Sequence, residues 1–176
     1  MARRGFLRNR KGVTAIEFGL LAAPFFLLLL GTLEISAVFV TETNLTQALE
    51  TNVRIIRTGA AQTSAPAVTE AEFRQRVCDS MRAVLVNVDC TRVHIDVQAF
   101  GSFGASAAAA GPPISNGDFD PTQLGYNPGG GDETILARAY YEYEIVTPLL
   151  SVLLADLDDN VRLLQATDLF RSEPFT

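Results

Sequence analysis

The segments RRGFLRNRKG (residues 3–12) and VTAIEFGLLAAPFFLLLLGTLEISAVFV (residues 13–40) decide the architecture of this chain. The first contains five basic residues and no acid, and the second is apolar along most of its length. An α-helix rises about 1.5 Å per residue, so a run of this length spans the roughly 30 Å hydrocarbon core of a bilayer. Because the helical pattern continues past the apolar run, we predict a retained transmembrane anchor rather than a cleaved secretory signal.

The charge distribution predicts how this anchor is oriented. Five of the fourteen basic residues precede Gly12 and all twenty acids follow it, so residues 13–176 have a formal charge of about −11 against −6 for the whole chain. Basic residues that flank a transmembrane helix stay on the cytoplasmic side. We therefore predict a single-pass membrane protein with its N-terminus in the cytoplasm and everything after about Val40 outside the cytoplasmic membrane. Because residues 13–176 are acidic, they are not expected to form the basic surface that binds nucleic acid.

The N-terminal helix is predicted to continue beyond the membrane into TETNLTQALETNVRIIRTG (residues 41–59). The apolar residues of this segment share one helical face: Leu45, Leu49, Val53 and Ile56. Gly59 follows as a helix terminator. The pattern indicates one helix of about 68 Å from residue 14 to 58, kinked at Pro24 because proline removes a backbone hydrogen bond.

The remainder of the chain is predicted to combine a second helix with a small antiparallel sheet, which makes the fold class α+β. Thr69 and Glu72 have the spacing of a capping box and start a helix over about residues 70–86. Three segments have the composition and alternation of strands: TRVHIDVQAF (91–100), TILARAYYEYEIVT (134–147) and VRLLQATDLF (161–170). The polar residues of the first strand are expected to face solvent.

Three regions follow from these elements: a basic cytoplasmic leader (1–12), a transmembrane and projecting helix (13–58) and a periplasmic α+β domain (59–176). Within the domain, residues 101–133 are rich in Gly, Ala, Pro, Ser and Asn and are expected to form a long flexible loop. The segment LLSVLLADL (149–157) is predicted to be a short buried or interfacial helix.

Two cysteines are consistent with an extracytoplasmic domain. Cys78 and Cys90 are twelve residues apart, too far for a redox CxxC pair and without the neighbours of a metal site. In an oxidising compartment we expect them to form a disulfide, which stabilises by roughly 3 kcal/mol in the chain-entropy model. In a domain facing the cytoplasm they would instead be two buried thiols.

The residues that might carry catalysis or bind a metal have simpler explanations. His94 is the only histidine and is expected to be solvated on the polar face of a strand. Acids of the long loop lack the spacing of an EF-hand and are expected to be solvated: Asp118, Asp120, Asp132 and Glu133. We therefore predict no catalytic residues, no metal site and no cofactor, and the protein is not expected to be an enzyme.

Two carboxylates bracket the apolar run. Glu17 lies five residues after Gly12, and Glu34 lies seventeen residues further on, or about 26 Å along a helix. A charge within a transmembrane segment is costly and requires a reason. We expect Glu34 to reach the outer interface of the membrane. If a peptidase cuts between Gly12 and Val13, the new α-amine can pair with Glu17 of a neighbouring subunit and set the register of assembly.

The segment KGVTAIEFGLLAAPFFLLLLGTLE (residues 11–34) resembles the TadE-like family, minor pseudopilins of the tight-adherence (Flp) pilus assembly system. The residues that carry the resemblance are the following: Gly12, Glu17, Phe18, Pro24 and Glu34, with the leucine run between the last two. The ending RSEPF (171–175) is similar to the C-terminus of such proteins. Phe18, in place of the Tyr usual in the major pilin, and the additional domain favour a minor component.

The resemblance implies a function and a set of partners. A prepilin peptidase would cleave the bond between Gly12 and Val13, and Glu17 would be needed for processing or assembly. The partners would be other pilins or pseudopilins and inner-membrane assembly components. Three alternatives stay open: an uncleaved, membrane-tethered periplasmic binding module, a minor pseudopilin of a general secretion system, and a membrane-anchored hydrolase that uses His94.

Overall fold

The computed structural model describes residues 12–107, 111–115 and 117–175. The predicted basic leader thus lies outside the described residues, except for Gly12. The elements follow one another in this order: α1 (Val13–Arg57), α2 (Ala60–Thr63), α3 (Glu70–Arg82), a 3-10 helix (Cys90–Arg92), β1 (Val93–Phe100), α4 (Phe103–Ala107), β2 (Ile114–Ser115), β3 (Asp118–Phe119), a second 3-10 helix (Pro121–Gln123), β4 (Thr134–Glu144), α5 (Pro148–Leu154) and β5 (Val161–Arg171). This is the predicted α+β fold.

Helix α1 contains 45 residues and has nearly the predicted bounds. It continues as one helix on both sides of Pro24. Arg54 and Arg57 lie in its last turn, where cations suit the partial negative charge of a helix C-terminus. Gly59 then takes a φ of 76°, and the ring of Phe175 occupies the place where a Cβ atom would be, so only glycine fits there.

Helix α3 begins as predicted and ends four residues early. The capping box is formed, with Glu72 N–H donating to Thr69 Oγ1 at 3.3 Å and Thr69 N–H donating to the Glu72 carboxylate at 3.0 Å. After Arg82 the chain turns back, and the Arg82 guanidinium donates to the carbonyl of Val88 at 3.0 Å. The apolar periodicity alone did not reveal this turn.

The predicted disulfide is present between Cys78 on α3 and Cys90 in the first 3-10 helix, with a Cα–Cα distance of 5.6 Å. The early end of α3 brings the two residues together, because a helix that continued to residue 86 would carry the chain away from Cys78. The bond ties α3 to the start of β1.

Three long strands form an antiparallel sheet in the order β1-β4-β5. α1 packs on β4 and β5, and α3 packs on α1 and β1, so both helices cover one face of the sheet. The predicted apolar stripe of α1 is fully buried there: Leu45, Leu49, Val53 and Ile56. It meets the apolar residues of the strands, among them Ile95, Val97, Ile135 and Ala139.

The opposite face of the sheet is also covered, which corrects the expectation that its polar residues face solvent. Asp96 is completely buried, and Arg138 of the paired strand donates to its carboxylate from Nε at 2.9 Å and from Nη2. The covering segment supplies further partners: Gly125 N–H donates to Asp96 at 2.9 Å, and the carbonyl of Gly111 accepts from Arg138 at 3.0 Å. A buried ion pair of this kind needs such additional hydrogen bonds.

The described part of the predicted loop 101–133 is more structured than its composition indicates. It contains α4, the β2–β3 pair and the second 3-10 helix. Val97 of β1 bonds to two residues of this segment, donating to the carbonyl of Gly125 at 2.8 Å and accepting from Asn127 N–H at 2.7 Å. The segment therefore covers the free edge of β1 as well as one face of the sheet.

Candidate functional site

The first half of α1 exposes large apolar side chains along its length. Nine of them lie between residues 16 and 30 and are 44% exposed or more: Ile16, Phe18, Leu20, Leu21, Phe25, Phe26, Leu28, Leu29 and Leu30. A surface helix of a soluble domain has an apolar stripe and a polar face, whereas an apolar surface all round is typical of a membrane span. α1 is long and apolar enough to cross a membrane.

Glu17 is exposed within this surface, beside Phe18, which is 69% exposed. Its carboxylate has no hydrogen-bond or ion-pair partner in the part of the chain that the structure describes. Pro24 is exposed as well. These side chains are therefore not buried in the core of the described residues.

Gly12 lies directly before α1 as its N-cap residue. Its φ of −96° is one that any residue adopts, and a Cβ atom there would meet nothing within 4 Å in the described structure. Neither backbone conformation nor packing requires glycine at this position. The bond between Gly12 and Val13 thus lies at the first residue of the helix, and residues 14–21 of that helix are exposed.

Glu34 differs from Glu17 in burial and in its partners, and its expected place at the outer interface of the membrane stays a prediction. It is only 6% exposed. Its carboxylate accepts from the backbone N–H groups of Val146 and Thr147 at 3.2 and 3.1 Å, from Thr147 Oγ1 at 2.9 Å and from the Tyr143 hydroxyl at 3.3 Å. Glu34 therefore fixes the end of β4 and the start of α5 to the helix. We call this the Glu34 corner.

The Glu34 corner includes residues that the sequence analysis did not identify. Burial and the negative charge of Glu34 raise the pKa of Tyr143 above its usual value. Three residues before Glu34, Gly31 is buried against α5, where the methyl groups of Leu150 lie 3.4 and 3.7 Å from the position of a Cβ atom on the glycine. A small residue inside the leucine run was the available signal, because glycine permits close helix packing.

His94 is part of a small cluster rather than solvated as expected. Its Nε2 lies 2.7 Å from the Glu142 carboxylate, and its ring lies 4.9 Å from that of Phe119 on β3. The His94 side chain is 17% exposed. The cluster holds the β2–β3 pair against the sheet.

Asp118, Asp132 and Glu133 of segment 101–133 are exposed, as expected, and two acids of this segment have local hydrogen bonds. Hydrogen bonds from Gln123 and Thr122 lower the pKa of Asp120, which caps the second 3-10 helix. Glu133 accepts from Gly130 N–H at 2.7 Å. Within residues 12–107, 111–115 and 117–175, no group of three or more His, Cys, Asp or Glu side chains is arranged to hold a metal ion.

The ending RSEPF attaches the C-terminus to the end of α1. Ser172 Oγ donates to the carbonyl of Gly130 at 2.6 Å, and Glu173 N–H donates to the carbonyl of Arg57 at 2.8 Å. Phe175 packs on Gly59. This motif therefore has a structural role at the far end of the domain, about 34 Å along α1 from Glu34.

Comparison with known proteins gives one match. The family model of TadE-like proteins matches residues 12–54, which cover the apolar half of α1 and most of its packed half. The resemblance inferred from the sequence is confirmed over those residues, and the match supports a relation to the Tad pilus. No curated protein and no solved structure matches the chain.

Proposed function

We propose that this protein is a minor pseudopilin of a tight-adherence (Flp-type) pilus, anchored by α1 in the bacterial inner membrane. In this proposal the N-terminus lies in the cytoplasm and the α+β domain in the periplasm. A prepilin peptidase removes the leader, and the protein then joins other pilins or inner-membrane assembly components. The protein catalyses no reaction itself and is the substrate of the peptidase.

The observation that carries the proposal is the contrast between the two carboxylates of α1. Glu34 accepts four hydrogen bonds and holds the fold together, whereas Glu17 is exposed and unpaired in the described structure. An acid in a helix that crosses a membrane is costly. Because residues 12–107, 111–115 and 117–175 give Glu17 no partner, we infer that its partner lies on a neighbouring subunit.

Gly12 also supports the proposed processing and assembly. The fold does not require a glycine at this position, so its place immediately before an apolar helix is explained by recognition rather than by conformation. Cleavage after Gly12 would create an α-amine on Val13, one helical turn from Glu17. On a neighbouring subunit displaced along the fibre axis, that amine can neutralise Glu17, and the pair then fixes the register between α1 helices.

Replacing Glu17 with alanine is expected to abolish assembly while the domain stays folded. In cells that carry the complete pilus system, Glu17→Ala should eliminate the protein from the sheared surface fraction or eliminate the pili themselves. The Cys78–Cys90 bond and the melting temperature should not change, because Glu17 contacts nothing in the described domain. The matched control is Glu50→Ala, which removes an exposed acid from the packed half of the same helix.

Pilus production that is unchanged by Glu17→Ala would overturn the proposal. It would favour the uncleaved, membrane-tethered binding module, which needs α1 only as an anchor. Loss of pili in the Glu50→Ala control as well would show that any acid on α1 matters, and would remove the specific role of Glu17.

A further inference from the structure

The face of helix α5 that is exposed in the single chain is apolar. Leu149, Val152 and Leu153 are 62%, 84% and 79% exposed and share one face at helical spacing, and Val146 just before them is 78% exposed. The side turned toward the protein carries Ser151, which is 4% exposed. Soluble domains arrange such helices the other way round, with the apolar face inward. The exposed face of α5 would be stable against an apolar partner, which the described residues do not supply.

The position of α5 along α1 identifies that occupant. Leu150 packs on Gly31, which lies within the uncharged run of residues 18–33. The Glu34 corner fixes this depth, because Glu34 bonds to the backbone of Val146 and Thr147 at the start of α5. The apolar face of α5 is thus continuous with the exposed apolar surface of α1 at the end nearest the domain.

We propose that α5 lies in the lipid of the membrane that α1 crosses, at the outer interface of the bilayer. This inference rests on the proposed placement of α1 in that membrane. An interfacial helix buries its apolar face at the boundary of headgroups and acyl chains, which suits a short helix that meets the last turns of a span.

The residues on either side of α5 agree with this placement. Glu144 at the end of β4 is exposed, and acids resume directly after α5 at Asp156, Asp158 and Asp159. Arg162 donates to the carbonyl of Leu154 at 3.1 Å, so one of the carbonyls at the end of α5 has a partner inside the protein. The chain therefore enters the interface after Glu144 and returns to water at Asp156.

Such a placement has a consequence for assembly. The domain is held to the membrane at two points, α1 and α5, which restricts its rotation about the axis of α1. Extraction into a fibre then requires α5 to leave the lipid, and in the fibre its apolar face is available to a neighbouring subunit. α5 thus links the membrane-bound state to the assembled state.

The chain contains no tryptophan, so a single introduced tryptophan reports on its own surroundings. Three leucine-to-tryptophan variants of the full-length protein form a matched set: L153W on α5, L28W on the apolar half of α1 and L169W on β5. All three leucines are exposed, at 79%, 70% and 40%. V152W places a second probe on the same face of α5 and shows whether a result for L153W is caused by a local disturbance at residue 153.

The variants are reconstituted in vesicles of phosphatidylethanolamine and phosphatidylglycerol that contain brominated phosphatidylcholine. We expect L153W and V152W to emit at shorter wavelength than L169W and to lose most of their emission to bromines placed near the headgroups. L28W should be quenched more strongly by bromines placed deep in the acyl chains than by bromines placed near the headgroups. L169W should be quenched by aqueous iodide and not by either lipid.

The other outcomes overturn the inference in different ways. If L28W is quenched by lipid while L153W and V152W respond only to iodide, α5 faces water and the anchor stands without it. If L153W and V152W respond to neither quencher, protein covers α5, either a second copy or another chain. If L28W itself escapes the brominated lipids, the membrane placement of α1 fails and both proposals fall.

Discussion

Arg138→Met is expected to lower the free energy of unfolding by about 3–5 kcal/mol, because it leaves a fully buried carboxylate without its counter-ion. Asp96 has no exposed surface, and Arg138 reaches it through two guanidinium nitrogens. Removal of the arginine leaves the charge of Asp96, among the described residues, with the Gly125 N–H and the Gln98 amide as donors. Equilibrium denaturant unfolding of the full-length protein in detergent, followed by near-ultraviolet circular dichroism, measures the loss.

A second ion pair, between the first 3-10 helix and β4, provides the control. Arg92 lies 2.9 Å from Glu144, but their side chains are 36% and 64% exposed. Arg92→Met should therefore cost no more than about 1 kcal/mol, the usual worth of a surface pair. Addition of Asp96→Asn to Arg138→Met should recover much of the loss, because the amide keeps an acceptor for Gly125 N–H without the charge. A loss for Arg138→Met no larger than that for Arg92→Met would contradict the role assigned to the buried pair.

Glu34→Ala is the second change with a large expected effect, because one carboxylate holds the Glu34 corner together. The variant leaves the N–H groups of Val146 and Thr147 without their acceptor and removes the partner of Tyr143. We expect a loss of about 1.5–3 kcal/mol, the range for a hydrogen bond to a charged group, since water can reach part of the corner. Glu34→Gln should lose less, because its amide oxygen still accepts.

Hydrogen exchange locates the effect of Glu34→Ala. The amide protons of residues 146, 147 and 150 should exchange faster, because the start of α5 is released from α1, whereas amides of β1 should be unaffected. Glu50→Ala, which removes an exposed acid from the same helix, should change stability by no more than about 0.5 kcal/mol. Unaltered exchange at Val146 and Thr147 in Glu34→Ala would show that the corner is held by something other than Glu34.

Much of the fold could be predicted from local patterns. The apolar run and the stripe from Leu45 to Ile56 defined α1, and Thr69 with Glu72 marked the start of α3. Alternation identified β1 and β4 because side chains of a strand point to opposite faces. Each of these signals lies within a few residues of the element that it predicts.

The errors share a different cause, which is contact between distant segments. Asp96 has the alternation of a solvent-facing residue, yet it is completely buried and accepts a hydrogen bond from Gly125, 29 residues later. The partners of Glu34 lie in residues 143–147, more than a hundred positions later in the sequence, and no local pattern predicted them. Single-sequence periodicity contains no information on which loop will meet which face. The role of Glu17 is inferred from a local motif that does not depend on the fold of the domain, and it stays a prediction.

We propose that the bond between Gly12 and Val13 is cut before assembly, and intact-mass spectrometry measures whether it is. Protein purified from membranes of cells with a prepilin peptidase should lack its first twelve residues and begin at Val13. The same protein from cells without the peptidase should retain Met1 or Ala2 at its N-terminus. An uncleaved leader in both preparations would contradict the account, and α1 would then be an anchor only.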